Sequence, residues 1–67
     1  MSEPSATDWQ YTATTYDQRA SHYTTVAERV QPHDEEAAQL LHKQAERMRR
    51  YAMLARSQAS ALRDEGV

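Results

Sequence analysis

The sequence predicts an all-α fold: an antiparallel two-helix hairpin with an alanine-rich heptad seam, expected to dimerise into a four-helix bundle. Three observations carry that expectation. Asp34 to Asp64 runs without Gly or Pro and sets alanine at every seventh position, at Ala38, Ala45, Ala52 and Ala59. Three residues after each come Leu41, Met48, Ala55 and Leu62, so this stretch reads as one long helix with a small residue at heptad position a and a mostly large one at d. Upstream, Trp9, Ala13, Tyr16, Ala20, Tyr23, Ala27 and Val30 alternate spacings of four and three, which is the same pattern with alanine at a. Between the two stretches lies Pro32, and a short connection makes consecutive helices antiparallel neighbours.

Length and composition narrow the function classes. A chain of 67 residues is one domain at most, and one so short often needs a second copy when it lacks a disulfide or a metal. It has no Cys, which excludes thiol redox chemistry and thiolate ligation. No apolar run approaches the ~18 residues of a membrane span, and the start of the sequence shows no signal-peptide pattern, so a soluble cytoplasmic protein is expected. A net charge of −2 gives no global attraction to nucleic acid or to an anionic membrane.

Residues 1–6 (MSEPSA) are polar, carry Pro4 and read as a flexible lead-in. Helix 1 is expected over about 8–30. Thr7 is its expected N-cap, with Gln10 three residues on completing a capping box and Asp8 adding negative charge in the first turn. Thr12, Thr14, Thr15, Thr24 and Thr25 are weak helix formers, because a branched Cβ crowds the preceding turn. This helix therefore depends on packing more than on propensity.

Residues 31–34 form the bend. Pro32 disfavours α conformation at Gln31 and suits the first position of the following helix. Asp34, Glu35 and Glu36 then put three carboxylates at the positive end of helix 2, expected over about 34–64. Arg63 in the last turn and Gly66 beyond it mark its end, and 65–67 form a C-terminal tail.

The bend also selects a register. The expected layers are Val30 with Ala38, Ala27 with Leu41, Tyr23 with Ala45, Ala20 with Met48, Tyr16 with Ala52, Ala13 with Ala55, and Trp9 with Ala59. Nearly every layer sets one large residue against an alanine, so volumes complement each other. The same register is expected to bring Asp17 near Arg49 as an exposed flanking ion pair.

Helix 2 carries more apolar surface than this seam uses. Leu40, Tyr51, Leu54 and Ala61 form a second stripe, joined by Ala37, with Met53 nearby, while helix 1 offers only Val26 and the edge of Tyr11. An exposed stripe of this kind marks an interface, and association through it gives a homodimer or higher oligomer, or docks a partner protein. Scattered surface apolar residues are the plainer reading.

Sites for chemistry are sparse. His42 and Glu46 lie four apart and could face one ion, but a di-iron bundle requires inward Glu residues and Glu-x-x-His motifs that are missing, so no metal is expected. The acidic cluster at Asp34 is explained by capping, no Ser or Thr has the setting of a nucleophile, and Gly66 as the only glycine excludes a phosphate loop. No cofactor and no enzymatic activity are expected. Lys43, Arg47 and Arg50 follow one face of helix 2, and Arg49, Arg56 and Arg63 repeat every seventh residue on the adjoining one. Lys43, Arg47, Arg49, Arg50 and Arg56 could contact nucleic-acid phosphates. The plainer reading is that these side chains cover the seam edges with their aliphatic stems and pair with acids. The apolar face of helix 2 is alanine-rich and has no Trp or Phe, which disfavours membrane insertion. The function expected is a non-enzymatic interaction module, with a nucleic-acid-binding regulator as the alternative.

Overall fold

The computed structural model describes residues 2–65 and contains two helices, α1 (Ala6–Val30) and α2 (Glu35–Glu65), with no strand among the described residues. The helices pack side by side as an antiparallel hairpin, a rod of 52 × 17 × 16 Å. Of the two expected tails, Met1, Gly66 and Val67 lie outside the described residues, while Ala6 and Glu65 are already helical.

α1 starts earlier than its expected cap. Ser5, not Thr7, is the N-cap, with extended backbone at φ −83° and ψ 170°. The Asp8 N–H donates to Ser5 Oγ at 3.2 Å, and the Ser5 N–H donates back to Asp8 Oδ2 at 2.8 Å. Ser5-x-x-Asp8 therefore forms the capping box that Thr7-x-x-Gln10 was expected to form. An ionised carboxylate is a stronger acceptor for a backbone N–H than a neutral amide, so the upstream box wins and the helix extends over Ala6 and Thr7. The threonines are accommodated inside α1. The hydroxyls of Thr12, Thr14, Thr15, Thr24 and Thr25 each donate to the carbonyl four residues back, at 2.9 to 3.1 Å. Such bonds satisfy the hydroxyl without removing it from the helix.

The bend differs from expectation in two details. Gln31 keeps α conformation (φ −49°, ψ −45°) and donates its N–H to Ala27 O, despite preceding Pro32. The helix ends because Pro32 has no N–H with which to continue the ladder. The N–H groups of His33 and Asp34 both close back on Val30 O, at 2.9 and 2.8 Å. Pro32 thus sits in the turn rather than in the first position of α2. Asp34 is the residue that caps α2, its Oδ1 accepting from the Ala37 N–H at 3.0 Å, and Glu35 and Glu36 occupy the first turn. Their charges face the unpaired N–H groups of that end, which favours the helix start.

Among the described residues the buried ones are all alanines: Ala13, Ala20, Ala27, Ala38, Ala45, Ala52, Ala55 and Ala59, none more than 3% exposed. The large d residues Trp9, Tyr16, Tyr23, Val30, Leu41, Met48 and Leu62 are only partly buried. Two helices alone enclose only what fits in the strip where they touch. A methyl group fits; a tyrosine must lie along the edge of that strip with one side to solvent. One cluster joins Ala13, Ala52 and Ala55 with Trp9 and Tyr16 packed on it, as the layers Tyr16 with Ala52 and Ala13 with Ala55 require.

The flanking ion pair is not the expected one. Asp17 pairs with Arg56, and Arg49 Nη2 instead donates to Thr24 Oγ1 at 3.0 Å. Side chains on a helix lean toward its N-terminus. In an antiparallel pair, Asp17 therefore leans away from the bend and Arg56 leans toward it, so the two converge. Asp17 and Arg49 lean apart. Thr24 and Arg49 repeat the converging geometry one heptad nearer the bend.

Candidate interaction surface

The hairpin has two unlike edges. Along one, Asp17, Thr24, Arg49 and Arg56, each directly following a d residue, close the seam with polar contacts. Along the other, Tyr16 and Tyr51 meet with ring centroids 5.4 Å apart and planes tilted by 51°. A tilted pair at this distance sets the positive edge of one ring near the negative face of the other. This edge stays open. Trp9, Thr12, Tyr16, Tyr51, Leu54, Ala55 and Gln58 line a shallow groove of about 500 Å³.

The residues expected at an interface sit on and beside this open edge. Leu40 is 59% exposed, Tyr51 45%, Met53 65% and Leu54 67%, and Ala61 is exposed as well. Leu54 bridges two features: it lines the aromatic groove, and with Arg50, Met53 and Ser57 it lines a smaller apolar depression on the outer side of α2. From α1, Tyr11 is 76% exposed and joins Thr12, Thr15, Tyr16 and Arg19 around a third hollow. Sequence spacing singled out Leu40, Tyr51 and Leu54 but not the groove that Tyr51 and Leu54 share with α1, because that groove forms only when Tyr16 and Tyr51 meet across the hairpin. A further hollow, lined by Thr15, Gln18, Arg19, His22 and Tyr23, has no counterpart in the sequence pattern.

The five basic residues considered for phosphate contact divide. Arg49 and Arg56 reach across to α1, so they serve the hairpin itself. Lys43, Arg47 and Arg50 are exposed on the outer side of α2 and make no ion pair among the described residues. The band of five is thus reduced to three, interrupted by Glu46. Among the described residues no group of three or more His, Asp or Glu side chains is placed to hold a metal ion. The histidines are dispersed: His22 lies beside Tyr23 on α1, His33 is in the bend and His42 is exposed on α2. The N–H and then the hydroxyl of Ser5 hold the Asp8 carboxyl below the usual aspartate value. Its role there is capping. Among the described residues no helix is long and apolar enough to cross a membrane.

No family model, no curated protein and no solved structure matches this chain.

Proposed function

We propose that this chain is a non-enzymatic helical interaction module, an adaptor, regulator or assembly subunit that works by presenting the outer face of α2. Its partner is a second copy or another protein, and self-association joins two hairpins into a four-helix bundle. The observation that carries this reading is the stripe of Leu40, Tyr51, Met53 and Leu54, large apolar side chains left 45% to 67% exposed on one helix of a small hairpin. Exposed apolar area of this density is costly in water and is relieved by docking.

The test is the mass of the protein in solution, by light scattering over a range of concentrations, alongside Leu54→Glu. Leu54 is exposed in the single hairpin, so a carboxylate there remains hydrated and helicity by circular dichroism is expected to be unchanged. Within an interface the same carboxylate would be desolvated without a partner, which opposes association. A dimer that Leu54→Glu dissociates is the expected result. A dimer that persists in the variant refutes the assignment to the outer face of α2.

A further inference from the structure

α2 carries a second seam that its own hairpin leaves mostly uncovered. Ala37, Leu40, Gln44, Arg47, Tyr51, Leu54, Gln58 and Ala61 alternate spacings of three and four, the repeat that packs one helix against another. None of these side chains is buried. The charges beside this seam are arranged unevenly about its apolar centre. From Leu40 onward, the charges in or next to this seam are Lys43, Arg47 and Arg50 on the N-terminal side of Tyr51 and Leu54, and Asp64 and Glu65 on the C-terminal side, all exposed; Glu36 shares the heptad position of Lys43 and Asp64 but lies before Leu40, and Glu46 and Arg63 sit farther round the helix. The remaining basic residues near the centre, Arg49 and Arg56, are turned to α1 and occupied there.

That unevenness identifies the occupant. A strip with a basic half and an acidic end is complementary to itself when one copy is reversed. The geometry points to a second copy of this chain, its α2 lying antiparallel on α2 with the two-fold axis between Tyr51 and Leu54. This rests on the interaction-module reading above and adds its partner and register. With the axis there, Tyr51 packs on the partner's Leu54 and Leu54 on the partner's Tyr51. Arg47 meets the partner's Gln58, and Lys43 meets the partner's Asp64. Centres nearer the bend are worse. Moving the axis one or two turns toward the bend sets Lys43, Arg47 and Arg50 of one copy against the same residues of the other, and like charges so placed repel. It also separates the two Leu54 side chains.

The size of the contact fixes its strength. The overlap from Leu40 to Glu65 is about 39 Å long at 1.5 Å per residue, and helices at 8–10 Å separation touch over a strip about 10 Å wide. Roughly 400 Å² per copy is then covered, about half the ~800 Å² per partner of a standard stable interface. The dimer is therefore a reversible one that dissociates on dilution.

The chain has no Cys, so introduced thiols report unambiguously. The experiment is sedimentation equilibrium of the native chain from micromolar to millimolar concentration, with thiol cross-linking of Lys43→Cys/Asp64→Cys by a short bismaleimide. Within one helix those positions are about 31 Å apart, beyond the reach of the reagent, so any cross-link joins two chains. The expected result is a monomer–dimer equilibrium, with a covalent dimer from the double variant and at least tenfold less from Lys43→Cys or Asp64→Cys alone. If Lys43→Cys alone cross-links as well as the double variant, the axis lies near Lys43 and the register is overturned, while self-association stands. If the native chain is monomeric at every concentration, the second copy is overturned, and the module reading is left with a different protein as partner.

Discussion

Replacing Tyr16 with alanine tests the packing of the hairpin at its central cluster. Tyr16 packs on the Ala13–Ala52–Ala55 cluster and stacks against Tyr51, with one side open to the groove. An aromatic side chain fully enclosed removes about 200 Å² from water. Tyr16 is only partly buried; taking about two thirds of that area as covered, about 130 Å² at about 25 cal/mol per Å² gives about 3 kcal/mol. Losing the tilted pair with Tyr51 adds ~1 kcal/mol, and a compact unfolded chain subtracts a similar amount. No cavity term is added, because the space left opens to solvent. The net expectation is a loss of about 3 kcal/mol. A chain of this size has a total stability of about 3–10 kcal/mol, so the variant should lie near or beyond the edge of folding. Urea denaturation followed by circular dichroism at one fixed protein concentration measures it, and a double-mutant cycle with Tyr51→Ala isolates the ring pair at ~1 kcal/mol. A loss below about 1 kcal/mol for Tyr16→Ala would refute the register and the packing argument together.

Two further outcomes follow from the same structure. Ala52 is fully buried in the contact strip, so Ala52→Leu must push the helices apart; a loss of about 1–3 kcal/mol in the same denaturation assay is expected, and an unchanged or raised midpoint would show that the alanine seam is not close-packed. Asp8 should titrate below an ordinary aspartate, as followed by carboxyl NMR, because its charged form accepts from the Ser5 N–H and hydroxyl. A lowered folded pKa means that its contribution is fully present above the unfolded value and is lost as pH falls through the folded one, so the first turn of α1 should fray only in acid. Ser5→Ala removes the hydroxyl, should raise that pKa part of the way, and should cost about 1 kcal/mol as a lost N-cap.

Several features of this protein were legible in its residues because they depend on local rules. Alanine at every seventh position fixes which face of each helix is buried, and the structure buries Ala13, Ala20, Ala27, Ala38, Ala45, Ala52 and Ala59 accordingly. Pro32 fixes where α1 must stop, through its missing N–H, and Asp34 to Glu36 mark where α2 begins. The exposure of Leu40, Tyr51 and Leu54 was equally readable, since a helix that buries one face in a hairpin leaves the other to solvent. The cap of α1 was misread as Thr7 instead of Ser5, because Ser5-x-x-Asp8 overlaps Thr7-x-x-Gln10 and the outcome depends on the strength of a carboxylate acceptor.

What only the tertiary structure decided is everything that depends on two helices meeting. The direction in which side chains lean, seen across an antiparallel pair, joins Asp17 to Arg56 and Arg49 to Thr24, where simple layer counting joined Asp17 to Arg49. The same convergence removes Arg49 and Arg56 from the basic surface of α2. It leaves one edge of the hairpin closed by polar contacts and the other open beside Tyr16 and Tyr51. Sequence determined the faces, because periodicity along one helix is a local property. Structure decided the edges, because an edge belongs to two helices at once and its contacts depend on their relative direction.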